Sequence, residues 1–215
     1  MQLSPDRFND LLSNIGQSIL WRRAYLCPCR DAHSAAARQG CPVCAGIGMY
    51  WGSAQAAVVG LSGMQAQQQW AQFGAYENGD VVVTLPSDSP VYDLADHDRV
   101  VFTHSTIGFV QIFRRGIDDE PLPFPVQSIE RLFWLDTDGQ TEIDGDIPIS
   151  DENGYLRWPG AAPHSPAPGQ QYSLVGRKNT EYFVALSSMV QDRAHHHGAR
   201  LPRKCVLRRW DLYGR

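Results

Sequence analysis

The amino-acid sequence predicts a mainly β protein, a barrel or sandwich of short antiparallel strands with an N-terminal amphipathic helix. Three observations support this fold class. Short runs of β-branched and aromatic residues recur after residue 50, each bounded by turn-forming residues. Glycine and proline are frequent, at 19 and 14 of 215 residues, and favour turns over long helices. Strand and helix patterns do not alternate along the chain, which argues against a parallel sheet.

The predicted helix covers about residues 5–20. Ser4 is a suitable N-cap, Pro5 fits the first turn, and Asp6 lies near the positive end of the helix dipole. We expect the apolar face to pack on the helix's own domain, with docking on a neighbouring subunit as the alternative. That face is formed by residues at helical spacing: Phe8, Leu11, Leu12, Ile15 and Ile19.

The predicted strands are β-branched, aromatic or alternating runs. They cover residues 81–85, 99–103, 109–114, 128–135, 155–158, 171–175, 181–186 and 204–210. Residues 136–139, Asp-Thr-Asp-Gly, form a hairpin-type turn signal after the fourth run. Turn signals at this spacing are typical of an all-β barrel or sandwich.

Composition divides the chain into three predicted segments. Residues 1–52 hold the helix and a cysteine-containing loop, residues 53–76 form an uncharged connecting or interface segment, and residues 77–215 form the β-barrel or β-sandwich domain. No Asp, Glu, Lys or Arg occurs in residues 39–76. Because interface cores are depleted in charge, this stretch suits contact with a partner.

The charges are segregated along the chain. Residues 1–79 carry a net charge of +1, residues 80–160 carry −11 and residues 161–215 carry +6, which gives −4 in total. The acidic and basic parts either fold against each other or join neighbouring copies, where opposite charges set register and orientation. We expect residues 80–160 to supply part of a subunit interface or of a lumen.

Four cysteines form the most specific chemical signal, and we predict that they bind a structural zinc ion. Cys27 and Cys29 form a C-x-C pair, and Cys41 and Cys44 follow eleven residues later as C-x-x-C. Thiolates suit the tetrahedral coordination of zinc, and two close pairs supply all four ligands of a small zinc-ribbon-like loop. Residues 41–48, Cys-Pro-Val-Cys-Ala-Gly-Ile-Gly, resemble one repeat of the zinc region of Hsp40-type chaperones.

The sequence alone allows other interpretations of the cysteines. His33 or Asp31 could replace one sulfur ligand, because C-x-C departs from the usual C-x-x-C knuckle. The thiols could also be reduced and metal-free, or paired in disulfides. The fifth cysteine, Cys205, lies in an apolar strand pattern and is predicted to pack in the core.

We predict no catalytic residues and no enzymatic activity. The chain lacks G-x-S-x-G, the P-loop, the dinucleotide-binding glycine pattern and H-E-x-x-H. Four cysteine ligands would leave zinc no open position for water, which argues against catalytic zinc. A basic run near the C-terminus either contacts phosphates or forms a charged edge strand, and the second reading is favoured: Arg200, Arg203, Lys204, Arg208 and Arg209.

The N-terminus lacks the basic start and apolar run of a signal peptide, and no stretch reaches the ~18 apolar residues of a membrane span. We therefore expect a cytosolic protein without a membrane partner.

Several segments together resemble structural proteins encoded in the head–tail gene region of tailed bacteriophages. They are the N-terminal helix with Trp21-Arg22-Arg23, residues 27–30, residues 40–48, residues 79–86, Tyr182-Phe183-Val184 and residues 201–209. The resemblance implies a neck, collar or head–tail connector subunit with a β-barrel or β-sandwich fold. Such subunits form homo-oligomeric rings of six or twelve copies between portal and tail.

The resemblance also implies partners and a location. The ring would contact neighbouring portal, neck or tail proteins and would touch passing DNA without sequence specificity. The protein would reside in the host cytoplasm before assembly and in the virion afterwards. The alternative is a zinc-ribbon nucleic-acid-binding regulator, which would need Lys and Arg around the cysteine loops. A third reading, a metalloenzyme, would need an open metal position.

Overall fold

The computed structural model describes residues 5–62, 79–116, 120–151, 154–158, 164–186, 195–196 and 198–213. The chain divides into two compact units. Unit 1 comprises residues 1–103 and 181–215, and unit 2 comprises residues 104–180. Unit 1 thus contains the predicted segment 1–52 and the two ends of the predicted β domain 77–215. Residues 63–76 of the predicted uncharged segment lie outside the described residues.

Within the described ranges, the chain forms one α-helix and fifteen strands. The helix α1 is Pro5–Ile15. The strands are β1 Gln17–Arg22, β2 Ala24–Leu26, β3 Met49–Trp51, β4 Gln55–Leu61, β5 Val81–Leu85, β6 Arg99–Arg114, β7 Glu120–Pro121, β8 Val126–Leu135, β9 Glu142–Asp144, β10 Ile149–Ser150, β11 Tyr155–Arg157, β12 Gln171–Leu186, β13 His195–His196, β14 Ala199–Arg200 and β15 Arg203–Arg209. Short 3-10 turns cover Pro90–Asp93 and Trp210–Leu212.

Unit 1 is built on a closed six-stranded antiparallel barrel, which confirms the predicted mainly β class. The strand order is β15-β5-β4-β1-β6-β12, and pairing of β12 with β15 closes the sheet. The registers include Ile19 opposite Phe102 and Cys205 opposite Val83. Closure leaves this sheet without a free edge in the barrel wall.

The barrel interior is filled by side chains. In β1, Ile19 and Trp21 point inward and are buried, whereas Leu20 and Arg22 point outward and are exposed, as a strand period of two requires. The remaining core residues come from all sides of the barrel: Val59, Val83, Leu85, Val91, Leu94, Val100, Phe102, Val184, Cys205 and Leu207. Cys205 is 1% exposed, so its predicted place in the core is confirmed.

The predicted helix is too long by five residues, because α1 ends at Ile15 and the chain then enters β1. Gly16 lies where the helix approaches β4. A Cβ atom at Gly16 would stand 2.3 Å from the Leu12 carbonyl oxygen and 2.4 Å from a methyl group of Val58. Ile19, predicted on the helix face, is instead buried in the barrel core.

Two pairs of predicted strands are each one long strand. The runs at 99–103 and 109–114 are joined in β6, and those at 171–175 and 181–186 are joined in β12, each of 16 residues. Both strands contribute to unit 1 and to unit 2.

Unit 2 is a four-stranded antiparallel arrangement in the order β6-β12-β8-β9, with a small sheet of β10, β11 and β7. Its core comprises Phe109, Leu132, Leu156, Tyr172 and Leu174. The predicted turn at residues 136–139 connects β8 to β9, where the Gly139 N–H donates to the Asp136 carbonyl oxygen. Gly139 has a φ of +69°, which a glycine adopts at little cost.

Across the described residues, no helix has the length and apolar character needed to cross a bilayer.

Candidate metal centre

The cysteine loop grows from a two-stranded ribbon in unit 1. Strand β2 pairs with β3, with Tyr25 opposite Tyr50, and these two rings stack at a centroid distance of 5.4 Å. The ribbon leads directly into Cys27 on one strand and is re-entered after Gly48 on the other, where the Cys27 N–H donates to the Gly48 carbonyl oxygen at 2.9 Å. The base of the loop is therefore closed by backbone hydrogen bonds.

Tight turns bring each cysteine pair to the centre of the loop. The Arg30 N–H donates to the Cys27 carbonyl oxygen at 3.0 Å, and the Ala45 N–H donates to the Cys41 carbonyl oxygen at 2.9 Å. After the second pair, Gly48 has a φ of +80°, a backbone conformation that favours glycine. The backbone thus turns within C-x-C and within C-x-x-C, so that the two cysteine side chains of each pair face the same point.

The four sulfur atoms form one compact group. The ligand atoms of Cys27, Cys29, Cys41 and Cys44 all lie within 4.8 Å of one another. The Sγ atoms of Cys27 and Cys41 are 3.8 Å apart, and those of Cys29 and Cys44 are 3.4 Å apart. Zinc–sulfur bonds of about 2.3 Å in a tetrahedron place sulfur atoms about 3.8 Å apart. The cluster therefore has the dimensions needed to hold a metal ion.

All four thiols are free. The two close sulfur contacts are longer than the ~2.05 Å of a disulfide bond. Cys27, Cys41 and Cys44 are buried and Cys29 is half-buried, so the sulfur group is largely shielded from solvent. Structural metal sites in proteins are typically formed by thiolates that are shielded from solvent in this way.

Backbone amides favour the thiolate form of the second cysteine pair. The N–H groups of Cys44 and Val43 donate to the Cys41 sulfur and lower its pKa to about 6. Burial alone would raise the pKa of Cys44, but N–H groups of Gly48 and Gly46 and the nearby thiols bring it below its ordinary value. These amide–sulfur contacts are the interactions expected around a metal-bound thiolate.

The pKa values of the first cysteine pair, Cys27 and Cys29, are raised instead of lowered. The Cys29 N–H donates to Cys27 and the Arg38 N–H donates to Cys29, and both contacts oppose a rise in pKa. Burial and the nearby sulfur atoms outweigh them, so the pKa of Cys27 is raised and that of Cys29 is raised to about 12. Four adjacent thiolates repel one another, and a bound cation would remove this repulsion.

The two alternative ligands proposed from the sequence do not join the sulfur group. Among the described residues, the metal-ligand cluster contains the four cysteines alone. Asp31 instead organises its own turn, because its Oδ1 atom accepts hydrogen bonds from the N–H groups of His33 at 3.0 Å and Ser34 at 2.8 Å. Donation from the Ser34 amide and hydroxyl lowers the pKa of Asp31.

An aromatic cluster that no local sequence pattern indicates joins the β2–β3 ribbon to the barrel. Trp51 packs edge-on against Trp210 at 5.0 Å and Tyr213 at 5.7 Å, and its indole N–H donates to the His97 carbonyl oxygen. Phe183 of β12 packs on Tyr213 at 4.9 Å. The sequence signal lay in Trp210 and Tyr213, but their partner Trp51 is more than a hundred residues away along the chain.

A buried carboxylate also attaches the β2–β3 ribbon to the barrel. Asp98 is 1% exposed and accepts three hydrogen bonds, from the Trp21 indole N–H at 2.8 Å, the Ala24 N–H at 2.7 Å and the Ala95 N–H at 3.0 Å. It connects barrel strand β1 to the first residue of the ribbon. The cysteine loop is therefore attached to unit 1 through polar as well as aromatic contacts.

Most of the basic C-terminal run makes contacts within the chain. Arg208 pairs with buried Asp80 at 3.1 Å, and Arg209 pairs with Asp211 at 2.6 Å. Arg203 is 3% exposed and donates to backbone carbonyl oxygens. The predicted edge strand is wrong, because β15 pairs with both β5 and β12 in the closed barrel. The contacts of the run are nevertheless within the chain, and the Arg208–Asp80 pair joins its basic and acidic segments.

Neither a protein-family model nor a curated protein matches this sequence.

Proposed function

We propose that this protein is a structural subunit of a tailed-phage virion, which forms a ring in the neck or head–tail connector and lets DNA pass. Its partners would be further copies of the chain and the neighbouring portal, neck or tail proteins. The observation that carries the proposal is an apolar strip on α1 that the described residues of unit 1 leave exposed.

The strip consists of Phe8, Leu11 and Ile15, which are 43%, 49% and 67% exposed. At 100° per residue, these side chains lie within about 60° of the helix circumference. They flank Leu12, which is 5% exposed and packs against β4. An amphipathic helix normally buries such a strip, so a partner surface is the simplest explanation of its sequence.

The filled barrel limits where DNA could pass. Side chains occupy the interior, and the core residues Val83, Val100 and Leu207 are fully buried. A DNA channel would therefore lie between subunits arranged around an axis, as in a closed ring with a heterologous interface. This arrangement also gives the exposed strip a function, because each copy would bury it against the next.

We further propose that the metal is zinc and that it has a structural role. Four thiolates are a soft donor set that fits tetrahedral zinc. Because all four positions would be filled by protein, no site would remain for a substrate or an activated water. The ion would stiffen a loop of about 20 residues that is too small to form its own core.

A charge placed in the strip tests the proposed assembly. Leu11→Glu should reduce the ring to smaller species, because a buried carboxylate in an apolar contact is costly. Ser13→Glu is the matched control, since it adds the same charge to an exposed position about 200° away on α1. Light scattering coupled to size exclusion gives the mass of each variant.

The control should keep the mass of the unmodified protein. A monomeric unmodified protein, or equal dissociation of both variants, would contradict the proposal.

A further inference from the structure

Unit 1 contains a pocket of about 380 Å³ near the 3-10 turn at Pro90–Asp93. This size lies in the range of small-molecule sites. The lining contains three arginines and one aspartate, a formal charge of +2, and consists of Arg23, Tyr92, Asp93, Leu94, Ala95, Arg200 and Arg203. Residues from the β1–β2 connection, the turn and the C-terminal strands thus meet in one concave surface.

Arg203 forms a fixed part of the pocket wall. Its Nε atom donates to the Tyr92 carbonyl oxygen at 2.8 Å, and an Nη atom donates to the Leu94 carbonyl oxygen at 2.5 Å. Its guanidinium carbon lies 5.2 Å from the centroid of the Tyr92 ring. The Tyr92 hydroxyl in turn donates to the Leu201 carbonyl oxygen at 3.1 Å. A cation held in this way needs no reordering when a ligand binds.

Arg23 and Arg200 differ from most other arginines of the chain. Both are exposed, and within the portions of the chain that the structure describes neither side chain forms an ion pair or a hydrogen bond. Arg200 contacts the Tyr92 ring, with its guanidinium carbon 5.5 Å from the centroid. By contrast, Arg99 pairs with Glu181. The donors of Arg23 and Arg200 are therefore available to a ligand in the pocket.

We propose that this pocket binds a phosphate group. A guanidinium presents parallel N–H donors that match phosphate oxygens, and an arginine cluster is the typical protein environment for this group. The formal charge of +2 matches the charge of about −1.5 to −2 that a phosphate monoester carries near pH 7. The proposal goes beyond the assembly function and does not depend on it, because the pocket lies wholly in unit 1.

Calorimetric titration of the full-length protein with inorganic phosphate, at constant pH and ionic strength, tests this site. We expect saturable binding of about one phosphate per chain. Arg23→Gln and Arg200→Gln should each weaken binding by at least about tenfold, which corresponds to about 1.4 kcal/mol. Arg22→Gln is the matched control, because it removes the same charge from an exposed residue outside the pocket lining and should change affinity less than about twofold.

A competition arm distinguishes two sources of the phosphate group. Displacement of bound phosphate by a short single-stranded oligonucleotide would identify nucleic-acid backbone as the source, and failure to displace it would identify a free phosphate compound. Thermal unfolding of each variant verifies that the fold is retained. Absence of phosphate binding, or equal weakening by all three substitutions, would overturn the proposal.

Discussion

At the residue scale, four cysteine side chains form the candidate metal site of this protein. Their sequence spacing was enough to identify Cys27, Cys29, Cys41 and Cys44 as one group, and the structure places their sulfur atoms within 4.8 Å. The prediction succeeded because each pair is local, so that two tight turns suffice to align its side chains. Glycines follow the second pair because Gly46 and Gly48 have φ angles of +86° and +80°, and in this conformation their N–H groups contact the Cys44 sulfur.

Replacing one cysteine of the cluster should release the proposed zinc ion. Cys41→Ser removes the sulfur whose thiolate form is best stabilised by backbone amides, and a hydroxyl is a poor ligand for a soft site. We expect bound zinc to fall from about one per chain to below about half, and the melting temperature to fall by about 5–10 °C. Plasma emission spectrometry and scanning calorimetry measure the two effects.

Cys205→Ala provides the control, because Cys205 is buried in the barrel core away from the sulfur group. It should lower stability without changing zinc content. Full zinc retention in Cys41→Ser would show that the cluster does not hold the ion as four cysteine ligands.

Asp98 is the residue whose importance could not be read from sequence. Two of its hydrogen-bond donors, the Trp21 indole and the Ala24 amide, are 77 and 74 residues away along the chain. No local pattern identifies such a contact, because a buried aspartate and an exposed one have the same sequence neighbours. Asp98 reaches these donors only in the folded barrel, where β1 pairs with β6.

Removal of this carboxylate should destabilise unit 1. Asp98→Ala leaves the buried Trp21 N–H and two backbone amides without their acceptor, and we expect a loss of about 3 kcal/mol in the free energy of unfolding. Asp88→Ala, at an exposed residue, should change stability by less than about 0.5 kcal/mol. Equal urea midpoints for the two variants would contradict the role assigned to Asp98.

At the scale of elements, close contact between α1 and β4 decides where the helix ends. Glycines occur on both sides of this contact: a Cβ atom at Gly60 would lie 2.4 Å from a Leu12 methyl group, and one at Gly16 would lie 2.3 Å from a backbone oxygen. The helical spacing of Leu12, Ile15 and Ile19 predicted a longer helix, because Ile19 satisfies helix and strand patterns equally well. Ile19 lies in strand β1 because its side chain packs in the barrel core.

A side chain at Gly16 should therefore be costly. Gly16→Ala forces the helix away from β4, and we expect a loss of about 2 kcal/mol in stability. Gly108→Ala is the matched control in β6, since no atom lies within 4 Å of the added methyl group. Urea unfolding followed by circular dichroism compares the two, and a Gly16→Ala protein as stable as the control would argue against close packing of α1.

The long strands show a second limit of sequence patterns. The polar stretch at His104–Thr106 separates two apolar runs that predict two strands, yet β6 continues through it. A strand can carry polar residues at any point where a face is exposed, as long as a neighbouring strand satisfies its backbone. The strands β6 and β12 were therefore each predicted as two strands, whereas nine short strands were not predicted: β1 to β4, β7, β9, β10, β13 and β14.

At the scale of the whole molecule, charge segregation has more than one consequence. Part of it is satisfied within the chain, since Arg208 pairs with Asp80 and Arg131 pairs with Glu142 and Asp144. Two arginines without such pairs, Arg23 and Arg200, meet at one pocket, which no linear charge count could indicate. The strand-like runs of the sequence were sufficient to predict the fold class. The closed barrel, by contrast, also depends on pairings between distant segments, β5 with β15 and β1 with β6.

Native mass spectrometry of the purified full-length protein tests the central claim most directly, because one spectrum counts both subunits and metal ions. We expect a ring of six or twelve chains that carries about one zinc ion per chain. A monomer of 24.0 kDa without bound metal would contradict it.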